Sequence, residues 1–135
     1  MKYLVFLGFF VLFLISPLPI KAKKFHNHKF FERYDPNTEI FIRGKIKRIK
    51  ILSEHKCVVL DVKRKSKIYN VIIGPLWFVN EKNIKIEPGE EVIIKGSKFF
   101  SKDGKLFIFT RFLYFINKDR TYYFRDENFR PLCII

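Results

Sequence analysis

Apolar and polar residues alternate from about residue 38 onward, which is the period of a β-strand buried on one face. The apolar positions change parity once, since one set is Ile40, Ile42, Gly44 and Ile46 and the next is Ile49 and Ile51. Such a slip within one long strand indicates a β-bulge, which bends the strand so that it can serve both halves of a barrel. We therefore predict a long, bent first strand over residues 38–51, with Gly44 relieving the crowding at the bend.

Two further runs of β-forming residues predict a hairpin. Residues 57–62 and 68–73 are joined by the charged turn Lys63-Arg64-Lys65-Ser66, and a short polar turn between two such runs is typical of paired strands. Gly74-Pro75 ends the second strand, because proline has no N–H for the ladder and restricts the residue before it. Residues 76–83 then predict a short helix.

The second half of the chain is punctuated by turn signals. Glu87-Pro88-Gly89-Glu90 predicts a tight turn before a strand over residues 92–95, because proline suits its fixed φ and glycine accepts a positive φ. Gly96-Ser97 is expected to bend the chain, and Asp103-Gly104 is a hairpin signal. The longest apolar strand follows over residues 106–116, and a last turn leads to an extended segment at 121–124.

Five strands with a short helix between the third and the fourth follow the order of the OB-fold. We predict an all-β protein with a small five-stranded OB-like Greek-key barrel over residues 38–135, one short helix between strands 3 and 4, and a signal peptide before it. A five-stranded SH3-like barrel is the closest alternative. The position of the helix and the long, bulged first strand favour the OB-like barrel.

The amino-terminal segment predicts export. A short positive start is followed by an apolar run over residues 3–15, which is shorter than the roughly 20 residues of a membrane span. Two prolines then end the run, and a signal peptide over residues 1–22 with cleavage near Ala22 is expected. Retention as an uncleaved membrane anchor is the alternative. Residues 23–37 are expected to form a flexible basic leader, and the protein is expected to be periplasmic or secreted.

The net positive charge of the chain indicates which class of partner it binds. The chain carries 27 Lys and Arg against 13 Asp and Glu, a net charge of +14. Cleavage after Ala22 removes two lysines and no acidic residue, which leaves +12. A field of this sign favours anionic partners, although an AT-rich codon bias would also raise the lysine content. We expect an envelope protein partner or an anionic polymer, infer no specific nucleic acid, and expect a monomer without a transmembrane segment in the mature chain.

Several motifs occur together in an order that resembles a known family. They are Gly74-Pro75-Leu76-Trp77-Phe78, Pro88-Gly89-Glu90-Glu91-Val92, Gly96-Ser97, Gly104 and the closing Phe124-Arg125-Asp126-Glu127-Asn128-Phe129-Arg130-Pro131-Leu132. This set is similar to small exported bacterial domains with OB-like character, which include magnetosome-associated proteins. The resemblance implies an architecture far more than a chemistry. Three residues depart from the family pattern, because Glu91 replaces an Asp, Phe129 a Gly and Cys133 a Trp.

Candidate binding residues fall into three groups, each with a structural alternative. Trp77 and Phe78 follow Gly-Pro at the end of a strand, where aromatic rings could stack on a base or a sugar; a plug that closes the barrel is the alternative, and we favour it for Trp77. Arg111 and Arg125 could bind an anion, or form surface ion pairs of small value. The third group fits a phosphate-tracking face, or equally a solvated sheet face: Lys47, Arg48, Lys63, Arg64 and Lys65.

Residue types that carry catalysis or bind metals are sparse. His26 and His28 have no third ligand of obvious origin and His55 stands alone, so we expect no metal site and no cofactor. Cys57 and Cys133 could pair in an oxidising compartment or remain separate buried thiols. No catalytic triad, carboxylate pair or phosphate loop is apparent. We therefore expect a non-enzymatic binding or accessory module; an exported OB-fold nucleic-acid-binding protein or nuclease is the alternative.

Overall fold

The computed structural model describes residues 32–53 and 56–134. The predicted signal peptide, most of the predicted leader and all three histidines lie outside the described residues. The described elements, in chain order, are a 3-10 turn at Pro36–Thr38, β1 (Glu39–Leu52), β2 (Cys57–Arg64), β3 (Lys67–Pro75), α1 (Leu76–Glu81), β4 (Glu91–Phe100), β5 (Leu106–Phe115), β6 (Arg120–Tyr123) and a 3-10 turn at Leu132–Ile134.

Strand pairing closes the sheet into a barrel. The sheet order is β3-β2-β1-β4-β5-β6, and β3 also pairs with β5. That β3–β5 contact is parallel, from Asn70 opposite Phe107 to Ile72 opposite Phe109, whereas the other pairs are antiparallel. Five strands thus form a closed barrel with α1 between strands 3 and 4, which confirms the predicted OB-like architecture. The short strand β6 is added to the outside of the set, next to β5.

The first strand bends as its sequence pattern predicts. Its first half pairs with β4 and its second half with β2, and Lys45 has a partner in both. The register shifts between Ile46 and Arg48, so the change of parity does mark a β-bulge. A Cβ on Gly44 would lie 2.7 Å from a methyl carbon of Val62 and 2.8 Å from the carbonyl oxygen of Lys63. The bend therefore requires glycine at this position.

Strand β4 and the helix differ most from their predicted ranges. Strand β4 continues through Gly96-Ser97 to Phe100, because the irregularity lies in the pairing with β5, where Arg111 is the extra residue. A bulge absorbs the bend without ending the strand. The helix is shorter than predicted and stops at Glu81, since Asn83 has a φ of 52°, a left-handed conformation that commonly ends helices.

One main apolar cluster fills the barrel. It is built from inward-facing residues of the strands and closed at one end by Phe78, Val79 and Ile84 from α1 and the segment after it. A second, smaller cluster lies under β2, β3 and β5 and contains Cys57, Val59, Ile72 and Phe109. The domain is therefore held together mainly by burial of apolar side chains between strands that are distant in sequence.

The two cysteines are free thiols in the structure. Cys57 lies in the smaller cluster, and Cys133 packs against both clusters. Burial raises the pKa of each thiol to about 11, so both are protonated at neutral pH. Within the part of the chain that the structure describes, no helix combines the length and the apolar character that crossing a membrane requires.

Candidate functional site

The end of the barrel opposite α1 carries a basic and apolar groove of about 480 Å³. Strand β3 begins at this end with Lys67 and runs to Pro75, where the helix starts. We call this groove the basic mouth, and define it by its lining residues: Ile40, Phe41, Ile42, Arg64, Lys67, Tyr69, Lys98, Phe100 and Leu106. Three of them are cations, and none is acidic.

The tips of two hairpins shape the basic mouth. Arg64 and Lys67 are directly opposite each other at the tip of the β2–β3 hairpin, and they share the face of Val62 and Tyr69, which points into the barrel. Lys98 and Phe100 come from the β4–β5 hairpin, where the Lys98 Nζ lies 5.8 Å from the centre of the Phe100 ring. Cations from both hairpins therefore border an apolar floor.

Like charges occupy opposed cross-strand positions at the β2–β3 hairpin and next to it. Arg64 is directly opposite Lys67, and Lys45 is directly opposite Lys63 on one side and Glu91 on the other. Like charges in such cross-strand positions destabilise a sheet. Lys65, at the turn, has a φ of 56° and adds a fifth positive charge. These five residues make no ion pair with any acidic residue of the described chain.

The other predicted basic run is partly neutralised. Arg48 and Lys50 both bind the carboxylate of Asp61, each with a nitrogen–oxygen distance of 2.9 Å, and Arg43 binds Glu91 at 3.0 Å. Lys47 is exposed and is the extra residue of the β1 bulge. The expected phosphate-tracking face around Lys47 and Arg48 is thus interrupted by internal ion pairs.

Arg111 and Arg125 belong to a second cluster, near the carboxyl terminus. We call it the carboxyl-terminal clamp and define it as Tyr34, Glu39, Arg111, Arg125 and Phe129. Arg111 NH1 lies 3.4 Å from the Glu39 carboxylate and its guanidinium carbon lies 4.8 Å from the centre of the Phe129 ring. Arg125 is 5 % exposed, and its guanidinium carbon lies 4.5 Å from the centre of the Tyr34 ring. Both arginines therefore join parts of this domain to each other.

Electrostatics of the clamp support a structural role. Burial works to raise the pKa of the Glu39 carboxyl, but the hydrogen bond from Tyr34 and the positive charges of Lys95 and Arg111 outweigh it and lower the pKa overall. Burial, then the bond to Glu39, raises the pKa of the Tyr34 hydroxyl. Burial lowers the pKa of Arg125 to about 10, so this guanidinium remains charged at neutral pH.

Phe129 explains one departure from the family pattern. Its φ is 64°, which is the left-handed region where glycine is favoured, and glycine is the residue that the resemblance leads us to expect here. The Phe129 ring stacks on Tyr34 with centroids 5.4 Å apart, and its carbonyl oxygen accepts a 2.8 Å hydrogen bond from Arg125. These contacts offset the cost of a strained backbone.

The aromatic candidates Trp77 and Phe78 lie at the helix end of the barrel. Phe78 is 4 % exposed and its ring is buried in the main cluster, so it presents no face to a ligand. Trp77 is half-buried and packs against the same cluster, with its ring edge-to-face on Phe78 at 5.9 Å. This position supports the role of barrel plug.

Sequence reasoning missed the aromatic members of the basic mouth. Phe41 and Phe100 are 61 % and 64 % exposed. Phe41 has the parity opposite to Ile40 and Ile42, and this signal could have placed it on the outer face. Lys98 and Phe100 gave no such signal, because only the folded barrel brings the β4–β5 hairpin next to the β2–β3 hairpin. Among the described residues, no group of three His, Cys, Asp or Glu could hold a metal ion.

Replacement of Glu39 tests the clamp. Because the folded-state pKa of Glu39 is lowered, its carboxylate adds stability that is fully present above the ordinary value of 4.5 and is lost as pH falls through the lowered pKa. We expect Glu39→Gln to reduce the free energy of unfolding at pH 7, and the difference from the parent to shrink as the pH falls below 4.5 and through the lowered pKa. Urea unfolding at several pH values measures this. Glu127→Gln is the control, and an equal, pH-independent loss in both variants would contradict the account.

The chain was compared with curated proteins, solved structures and models of protein families. A comparison with curated proteins gives no match. Among solved structures, the chain is similar to one in the crystal structure of the S. pombe Stn1-ten1 complex, with 21 % identity and a TM-score of 0.42 over 67 % of this chain. The match spans 60 % of that chain. At this level of similarity it carries no functional argument, and the fold assignment rests on the strand order described above.

The sequence model of the MamS/MamX magnetosome protein family matches residues 38–113. The matched segment runs from β1 into β5 and includes the helix and four complete strands of the barrel. The terminal motif at 124–132 lies beyond it. Because the match covers more than half of the chain, this protein belongs to the MamS/MamX magnetosome protein family.

Proposed function

We propose that this protein is a non-enzymatic binding module that takes an anionic ligand at the basic mouth. The observation that carries the proposal is the like-charged cross-strand contact of Arg64 with Lys67 in the lining of the groove, which Lys98 also borders. Such contacts oppose folding. An anion bound between the hairpin tips would remove this repulsion. The loss of the repulsion energy would then add to the free energy of binding.

The distribution of charge supports binding over a composition bias. Elsewhere on the barrel several cations have acidic partners, as Arg43 has Glu91 and Arg48 has Asp61, whereas Lys82 and Lys85 make no ion pair with a described residue but line no groove with other cations. At the basic mouth, the cations of both hairpins have no acidic partner among the described residues. A codon bias toward lysine would add positive charge without regard to the position of carboxylates. Uncompensated cations around one concave surface are instead what an anion site requires.

The lining of the basic mouth indicates the kind of anion. Its floor is apolar, because Ile40, Ile42, Tyr69 and Leu106 belong to the main cluster or pack against it. Its rim is cationic. A ligand that fills this groove therefore has both a negatively charged part and an apolar part.

We also propose that the protein is exported, and the support for this is the sequence of residues 1–22. A positive start, an apolar run too short to span a membrane and a following pair of prolines are the properties of a cleaved signal sequence. The proposed module then acts outside the cytoplasm, in the periplasm or beyond the cell.

Salt dependence tests the anion site. Heparin is a suitable polyanion probe, and its binding should weaken steeply as salt rises, because counterions are released when the two associate. We expect Arg64→Gln/Lys67→Gln to weaken binding and to reduce the slope of log affinity against log salt by roughly two. The matched control is Lys82→Gln/Lys85→Gln, which removes the same charge near the helix. If both double variants lose the same affinity, the anion site is not at the basic mouth.

Mass spectrometry of the protein isolated from its native cells tests export. We expect a mass that corresponds to a chain beginning at Lys23, because cleavage is predicted after Ala22. A protein that retains Met1 and the apolar run would contradict cleavage and favour the membrane-anchor alternative.

A further inference from the structure

We infer that the anionic ligand of the basic mouth is the surface of a membrane that contains anionic lipid. This inference rests on the proposed function, and it adds that the apolar side chains at the hairpin tips enter the lipid. The two parts are separable, since the cations can bind an anion whether or not the apolar residues insert.

Large apolar side chains are exposed at the same end of the barrel as the cations. Phe100 is the last residue of β4 and is 64 % exposed, and Ile68 is the second residue of β3 and is 45 % exposed. Phe41, on β1, borders the same groove. Phe41 and Phe100 thus line one groove, and Ile68 is exposed at the adjoining hairpin tip. Large apolar side chains exposed around a cationic groove are typical of an interaction surface.

Ile68 and Phe100 each have cations beside them. Ile68 follows Lys67 in the chain and is directly opposite Lys63, and the ring of Phe100 lies beside Lys98. An apolar residue that enters the boundary between headgroups and acyl chains, flanked by Lys and Arg that attract anionic headgroups, is the usual arrangement of a protein that lies on a membrane. Charge complementarity therefore favours an anionic lipid surface as the occupant.

The chemistry of the groove favours lipid over single-stranded nucleic acid. Proteins that bind single strands stack successive bases on aromatic rings. Here only two aromatic rings of the lining, those of Phe41 and Phe100, are exposed, and the aliphatic Ile40, Ile42 and Leu106 have no aromatic face. Tyr69 supplies the one uncharged hydrogen-bonding side chain of the lining, so the groove offers little with which to read a base. Aliphatic side chains are well suited to the glycerol and acyl portions of a lipid.

Vesicle co-sedimentation tests the inference with the chain that begins at Lys23. This chain omits the apolar run of residues 3–15, which would bind vesicles by itself, and retains every residue of the closed barrel. We expect binding to mixed phosphatidylcholine and phosphatidylglycerol vesicles and little binding to pure phosphatidylcholine. Each cation near an anionic surface strengthens binding by about fivefold, so Arg64→Gln/Lys67→Gln should weaken it by about 25-fold. Circular dichroism checks that each variant is folded.

Replacement of the exposed apolar residues Ile68 and Phe100 distinguishes insertion into lipid from electrostatic attraction alone. We expect Ile68→Ser/Phe100→Ser to weaken vesicle binding by about tenfold or more while heparin binding stays as in the parent. Ile51→Ser/Tyr123→Ser is the matched control, because Ile51 and Tyr123 are 52 % and 61 % exposed and lie outside the basic mouth. It should bind vesicles as the parent does.

Three outcomes would overturn the lipid assignment. Unchanged vesicle binding by Ile68→Ser/Phe100→Ser would show that the cations bind an anion but that the apolar side chains do not enter the lipid. Tighter binding to a single-stranded oligonucleotide than to anionic vesicles, weakened by Phe100→Ser, would assign the groove to nucleic acid. If Arg64→Gln/Lys67→Gln changed neither heparin nor vesicle binding, the proposed function itself would fail along with the inference.

Discussion

Strand β1 has to pair with β4 along its first half and with β2 along its second, and the rest of the structure depends on how it does so. Lys45 is the residue at which the strand passes from one partner to the other. Gly44 permits the close approach of β2, and the bulge after Ile46 restores the inward direction of the apolar side chains. The pairing of β1 with β2 ends at Lys45 and Lys63. From Arg64 to its tip, the β2–β3 hairpin therefore has no residue of β1 beside it. The gap between that hairpin and the β4–β5 hairpin is the basic mouth, so the site follows from the bend that closes the barrel.

Two groups of cations on this barrel differ in their surroundings. In the carboxyl-terminal clamp, Arg111 is held by the Glu39 carboxylate and the Phe129 ring, and buried Arg125 donates to the Phe129 carbonyl. Those contacts connect the start of β1 and strand β5 to the turn after β6. At the basic mouth, Arg64 and Lys67 are directly opposite each other, and their charge is not balanced by acidic residues of the described chain. The first arrangement stabilises the domain. The second opposes folding slightly and leaves positive charge available to a ligand.

The local features of the fold could be predicted from the sequence, because each depends on residues close together in the chain. The parity change after Ile46, the charged turn at residues 63–66 and Asp103-Gly104 all mark features that the structure contains. The carboxyl-terminal clamp and the basic mouth could not be predicted in the same way. The register of β5 against β4 makes Arg111 the extra residue of a bulge and brings it to Glu39, and barrel closure brings Phe100 next to Arg64. Both juxtapositions depend on contacts between residues far apart in sequence.

The most direct test of the central claim is a map of the bound surface by two-dimensional NMR of the isotope-labelled chain that begins at Lys23. Backbone amide signals are followed as nanodiscs containing phosphatidylglycerol are added. The account predicts that signals of the two hairpin tips, residues 63–68 and 98–105, shift or broaden first, with Phe41. Signals of the helix end, residues 82–85, and of the carboxyl-terminal clamp should change little. Changes centred on Arg111 and Arg125 instead would contradict the assignment of the basic mouth as the binding site.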